Sequence, residues 1–519
     1  MNLRILAIGL LVASVPATAQ TFPEPDPILE SIWRQGMDSS RVAALAQTLL
    51  DSIGPRLTGS PGIEAGNTWL VRMYGSWGVE ARNEQYDTWM RWRRGITHLD
   101  LLEPRVRSLE ATMLAWSPGT GGRPVRAGIV VLPDLPDAAA FATWLPAVRG
   151  RFVAVSFPEP SCRPADNWEE YATPTSLRRM QQRRASGRQA WRARIERTGY
   201  TSRTLPDALE RAGALGILTS RWSNGWGVQK IFAARTERVP TVDVSCEDYG
   251  LLVRLAEHDQ GPIIELTADA EALGEGPVFN TVAEIRGSEL PNEYVMLSAH
   301  FDSWDGGSGA TDNGTGTLTM LEAMRILSRV YPRPRRTIVV GHWSGEEQGL
   351  NGSRAFVRAH PEIVAGLQAL FNQDNGTGRV VRISAQGLTG AGAHFADWLS
   401  RIPDEMTRQI QFVFPGTPSG GGSDNASFIC AGAPAFSLGA LGWSYGTYTW
   451  HTNRDTYDKI VFDDLRYNAT LTAMLVYLAS EDPERVPRDR RTALPERNGR
   501  PTTWPVCRAP RTWEAYRGR

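Results

Sequence analysis

The sequence predicts an α/β protein: a mostly parallel or mixed sheet sandwiched by helices, with a β-rich region inserted into it. Three observations lead there. Between 278 and 480, the apolar runs YVMLSA, TIVVGHW, QALFN and QIQFVF alternate with helical stretches at 313–330, 351–359, 392–402 and 462–480, as in parallel sheets. Between about 120 and 270 the chain turns to short β-rich runs (AGIVVL, FVAVSF, LGILTS, VPTVDVS) parted by Pro and Gly. The 519 residues allow roughly three units of about 150 residues each.

In chain order, residues 1–19 carry Arg4, an apolar run from Ile5 to Val15 and Ala17-Thr18-Ala19, the pattern of a cleavable export signal. The run is too short to span about 30 Å of hydrocarbon, so no membrane association is expected after cleavage, and the protein is expected in the periplasm or secreted. Residues 20–115 form a first part. Its stretch 24–90 is mostly helical in pattern, with helices over Ser39–Leu50 and Ser60–Trp77, Ser60 capping the second with Pro61 at its first position. Exposed arginines and tryptophans follow, then LDLLEP as a strand. The β-rich region covers 116–272 and includes a polar helical insertion at 163–212, where eight arginines from Arg178 to Arg197 read as a solvated face. A catalytic region covers 273–482, and an aperiodic tail rich in Arg and Pro, disordered or wrapped on the surface, covers 483–519.

Composition is that of a globular protein, 41% hydrophobic and 22% charged. Zero formal net charge argues against nucleic acid as a partner. Cys162, Cys246, Cys430 and Cys507 allow three disulfide pairings, among which sequence alone does not choose. Cys162–Cys246 within one region and Cys430–Cys507 pinning the tail is the pairing expected if bridges form.

Six residues stand out: His300, Asp312, Glu346, Glu347, Asp374 and His451, in SAHFDSWDGGSGATDNGTGTL, GHWSGEEQGLNGS, LFNQDNGTG and YTWHTNRDTYD. Two imidazoles and three carboxylates would supply five ligands, leaving one of the paired glutamates as a base. Divalent ions such as Zn²⁺ accept this mixture of nitrogen and oxygen. Two of them, about 3.5–4 Å apart, would share a water. His300 ends a strand, where open α/β sheets place their sites. Asp312 would ordinarily be a helix cap, but beside His300 and Gly306, Gly307 and Gly309 it reads as a bridging carboxylate. Carboxylates at the end of a buried strand, as at Glu346 and Glu347, are costly unless metals compensate. Asp302 is placed to accept a hydrogen bond from the ring nitrogen of His300 that faces away from the metal.

These stretches resemble the co-catalytic zinc aminopeptidase and glutamate carboxypeptidase family, and within it the secreted carboxypeptidase Q type. The resemblance covers 278–480, with weaker support from 20–110, and 120–270 is similar to the protease-associated domain inserted in such enzymes. It implies a zinc-exopeptidase-like fold and two zinc ions: His300 and Asp374 hold one, Glu347 and His451 the other, and Asp312 bridges them. Glu346 is then the general base and Asp302 supports His300. The implied activity is metal-dependent hydrolysis of a peptide or dipeptide at one end, as an aminopeptidase, carboxypeptidase or dipeptidase; a homodimer is allowed. The loop PGTPSGGGSDNASF, with Ser423 and Asp424, and the aromatic strip Trp443, Tyr445, Tyr448 and Trp450 are read as substrate walls, with Asp424 meeting an α-amino group and Tyr448 an oxyanion. The alternatives are another metal-dependent amidohydrolase, a single-zinc glutaminyl cyclase-like transferase (against which His300 counts) and a non-enzymatic binding module, which would have lost ligands.

Overall fold

The computed structural model describes residues 22–496 and 502–518. The export signal expected at 1–19 lies outside them. The first helices follow the sequence reading: Pro61–Ser76 starts behind Ser60, whose hydroxyl accepts from the Ile63 N–H.

Fourteen strands are named in chain order: β1 Glu80–Glu103, β2 Arg107–Leu109, β3 Ala111–Met113, β4 Val125–Val131, β5 Phe152–Ala154, β6 Gly216–Thr219, β7 Thr241–Val244, β8 Ile263–Ile285, β9 Leu290–His300, β10 Arg336–Trp343, β11 Leu367–Gln373, β12 Val380–Ser384, β13 Gln411–Val413 and β14 Ala435–Ala440. They hydrogen-bond in the order β13-β12-β14-β11-β9-β10-β8-β4-β5-β6-β7-β3, with β1 alongside β8 and β2 on β1. The centre of the first half, β14-β11-β9-β10, is parallel throughout. Helices Thr315–Val330 and Phe462–Glu481, largely buried, pack there. This mixed α/β architecture with flanking helices is the fold class expected.

Two strands were not legible. Residues 80–90, expected to be largely helical, open the 24-residue β1, and β8 runs for 23 residues. They pair antiparallel from Glu80↔Glu284 to Glu103↔Ile263, with four register shifts. At one end β8 also pairs with β10, at the other with β4, so the ribbon runs through both halves of the sheet. Trp89 and Trp92, expected to be exposed, are buried on it. They join Phe152, Val242 and Leu266 in a core separate from the large one around Leu297, Val339 and Phe371.

The arginine-rich insertion forms helix Pro174–Arg197. Arg188 and Arg184 pair with Glu159, and Arg197 with Asp134, in keeping with a solvated face. The disulfides are Cys162–Cys246 and Cys430–Cys507, the pairing expected. Among the described residues, no helix is long and apolar enough to cross a membrane.

Candidate metal centre

Parallel pairing of β9, β10 and β11 brings their carboxyl ends to one edge. His300 is the last residue of β9, Glu346 and Glu347 follow β10, and Asp374 follows β11. Asp312 comes from the turn before helix Thr315–Val330, and His451 from a loop where it takes φ +61°. A left-handed, non-glycine residue is held against its preference by its surroundings. Here those are Trp450, Phe232 and Trp304, whose rings pack on the imidazole.

Five of the six residues converge, and Glu346 lines the cavity beside them. His300 Nε2 lies 3.3 Å from Asp312 Oδ1 and 3.3 Å from Asp374 Oδ1. His451 Nε2 lies 3.2 Å from Asp312 Oδ2 and 2.9 Å from Glu347 Oε2. Two ligand sets result, His300–Asp312–Asp374 and Asp312–Glu347–His451, sharing Asp312 through its two oxygens. Tetrahedral zinc with bonds of about 2.0–2.1 Å needs ligand atoms about 3.3–3.4 Å apart, which these separations approach. Glu347 Oε1 is buried without a hydrogen-bond partner, as a group awaiting an ion would be. The donor set fits a pair of divalent cations.

The electrostatics agree with that fit. Burial alone would lower the His451 imidazole, but Glu347 and Asp312 outweigh it and push it up to about 10. Burial pushes Glu347 up to about 7 and holds Glu346 well above the usual carboxylate range. Carboxylates so crowded need positive charge among them.

Asp302 departs from expectation. The His300 Nδ1 lies 3.0 Å from the Asp302 backbone oxygen but 3.7 Å from its carboxylate. The carboxylate instead accepts the N–H of Glu346 (3.1 Å) and Glu347 (3.3 Å) and the Thr58 hydroxyl (3.2 Å). It fixes the paired glutamates, not the imidazole. Trp304 then donates to Glu347 Oε2 at 2.8 Å.

Three supporting groups escaped the sequence reading. Asp455 accepts from the N–H of Thr311 and Asp312 at 2.8 and 3.0 Å, holding the shared carboxylate's backbone. Arg56, fully buried, donates to the carbonyls of Phe301, Gly54, Ser308 and Gly309 and so shapes the glycine loop. Segment 229–232 buttresses the His451 loop, its Ile231 N–H donating to the His451 carbonyl. The one signal for Asp455 was its place four residues after His451 in YTWHTNRDTYD.

A cavity of about 480 Å³ opens on the centre, with Glu346, Glu347, Asp374 and His451 in its wall. Tyr445 lines it, whereas Tyr448, expected to reach an oxyanion, lines a different cavity with Thr377 and Lys459. Gly420–Gly422 form part of the wall, while Ser423 and Asp424 do not. Ser423 Oγ accepts from Asn372, and Asp424 is buried, which pushes its carboxyl up to about 7. Trp450 also lines the cavity, its ring carrying the Lys230 ammonium 3.9 Å from the centroid.

An α/β sheet with a shared-carboxylate cluster at its strand ends is an arrangement that metal-dependent hydrolases use. Residues 280–476 match the model of peptidase family M28. The chain is similar to human carboxypeptidase Q, 26% identical over 449 residues that cover 85% of each protein. Among solved structures it resembles a peptidase M28 precursor from Shewanella amazonensis, 23% identical, covering 91% of this chain and 98% of that one with a TM-score of 0.65. It also resembles a zinc aminopeptidase from Bacillus subtilis, 18% identical, covering 84% and 93% with a TM-score of 0.53. These two likenesses are of fold. The resemblance read from the sequence holds.

Proposed function

We propose that the protein is an exported, zinc-dependent exopeptidase that hydrolyses a peptide bond at one end of a short peptide. The observation that carries this reading is the shared Asp312, one oxygen in each ligand set. His300 and Asp374 would hold one ion, Glu347 and His451 the other, with Asp312 between them. The zinc named for the Bacillus aminopeptidase supports the choice of metal. Residues 116–272 are proposed as a protease-associated-like domain inserted between 20–115 and 273–482.

Bound there, the ions would acidify a water and polarise the scissile carbonyl. Glu346, beside the ligands and raised by burial, takes the water's proton and returns it to the leaving amine. Asp302 holds Glu346 in place through its backbone. The Tyr445 hydroxyl, kept neutral by burial and the surrounding carboxylates, is the wall's donor toward the oxygen that gains charge. Aromatic side chains around His451 exclude bulk water from that side.

The test is metal content together with turnover. Wild type should hold two zinc ions per chain and cleave dipeptides or aminoacyl amides. Glu346→Gln should retain both ions and lose about 10²–10⁴-fold in kcat. One ion per chain would return the single-metal cyclase-like alternative, and near-normal turnover in Glu346→Gln would remove the base from its role.

A further inference from the structure

The C-terminal tail does more than cover the surface. Cys507 is bridged to Cys430, and the Trp504 indole donates to the Ile429 carbonyl at 3.0 Å. The Arg511 N–H donates to Asn351 at 2.9 Å. Beyond it, Trp513 and Tyr516 pack on Trp89 with ring centroids 5.4 and 5.5 Å away, and also on Trp116. The tail is thus fastened to the catalytic half at one end and to the β1 ribbon at the other, and between them it runs along the cavity wall.

Along that run it presents Arg508 and Arg511, and helix Asn351–Ala359 adds Arg354, to the cavity that holds Glu346 and Asp374. Among the described residues none of these three guanidiniums forms an ion pair, whereas the arginines of helix Pro174–Arg197 that approach Glu159 and Asp134 do. Burial and the neighbouring Arg511 and Arg508 hold the Arg354 guanidinium below its ordinary value. The glycine wall leaves room: a side-chain carbon added at Gly421 or Gly422 would meet nothing within 4 Å. With two divalent ions in place, the carboxylates of Asp312, Glu346, Glu347 and Asp374 are offset, and the arginine charge is left over. A cluster of three like charges at a ligand cavity is stabilised by an anion, and planar guanidinium forks match a carboxylate.

We infer that Arg354, Arg508 and Arg511 form a carboxylate subsite, two-thirds of it supplied by the disulfide-held tail, that binds the free α-carboxylate of a peptide whose scissile bond lies at the metal centre. This deepens the exopeptidase reading and rests on it. The tail would thereby select substrates by the presence of a C-terminal charge within reach of the centre. An acidic side chain offers the same chemistry and is separated from the α-carboxylate by the choice of ligands.

The experiment compares Leu-Ala, Leu-Ala amide and Leu-Glu amide on the full mature, zinc-loaded protein. Wild type should prefer Leu-Ala over its amide by about ten- to a hundredfold in kcat/KM, through KM. Arg508→Gln, Arg511→Gln and the double variant should collapse that ratio stepwise. Both positions are exposed, so folding is not at stake. An equal rate for acid and amide, or a ratio unchanged in the variants, overturns the inference. A variant-sensitive preference for Leu-Glu amide over Leu-Ala amide, with no preference for the free acid, overturns the α-carboxylate assignment. Calorimetric binding of the same three ligands to zinc-loaded Glu346→Gln tests the subsite without catalysis. Discrimination there with no turnover in wild type would fail the hydrolase reading and keep the subsite; no discrimination would fail the subsite.

Discussion

The carboxylate of Asp302 engages two successive backbone N–H groups, those of Glu346 and Glu347, so one side chain sets both the proposed base and a proposed ligand. Asp302→Asn should therefore lower metal affinity or turnover by about 10–100-fold, the usual cost of removing a partner behind the ligands. Metal titration followed by kinetics checks this; an unchanged affinity and kcat would leave Asp302 without that role. The tyrosines offer a sharper contrast. Tyr445→Phe should lower kcat by about 10²–10³-fold with little change in KM, whereas Tyr448→Phe should stay near wild type. The reverse outcome would restore Tyr448. The sequence could not settle this pair, because both stand on the helix Tyr445–Tyr448 and spacing alone does not say which faces the ligands. The strand-end candidates His300, Glu347 and Asp374 were legible for the opposite reason: each ends or follows a strongly apolar strand, where burying an ionisable group is costly unless an ion or a partner compensates.

Loops held from beneath carry the ligands, and Arg56 is the main fastening. Its guanidinium satisfies four carbonyls around the glycine loop, and burial lowers it only to about 10, so it stays charged. Arg56→Met would leave those carbonyls buried and unpaired, and should cost about 3 kcal/mol or more in stability. Chemical denaturation measures it, and a loss below about 1 kcal/mol would show that the loop is held by Asp455 and Ser303 instead. An arginine distant in sequence from every motif gave no sign of this role. The long strands β1 and β8 were hidden too, because four register shifts break the alternation by which strands are read. The tail reads from sequence as disordered or wrapped, pinned if Cys430 and Cys507 bridge, and its ring stacking on Trp89 and Trp116 leaves no period in the sequence.

At the scale of the whole molecule, stability should depend on pH through a group outside the candidate ligand sets. Asp243 on β7 is fully buried, and burial pushes its carboxyl up to about 7 despite bonds from Thr219 and the Arg221 N–H. Between its ordinary value near 4 and about 7, the folded protein holds a proton that the unfolded chain releases, so stability falls as pH rises through that window. In thermal melts, the advantage of wild type over Asp243→Asn should shrink from pH 4.5 to pH 7.5. A constant difference would mean that Asp243 titrates normally.

The paired strands β1 and β8, hydrogen-bonded along nearly their whole length and rooted in two cores, act as a girder. Because both strands pass through both halves, the halves are joined by a paired ribbon and not by a single strand. At the cavity, by contrast, the glycine wall at 420–422 and the strap from Cys507 to Tyr516 are tied only at points.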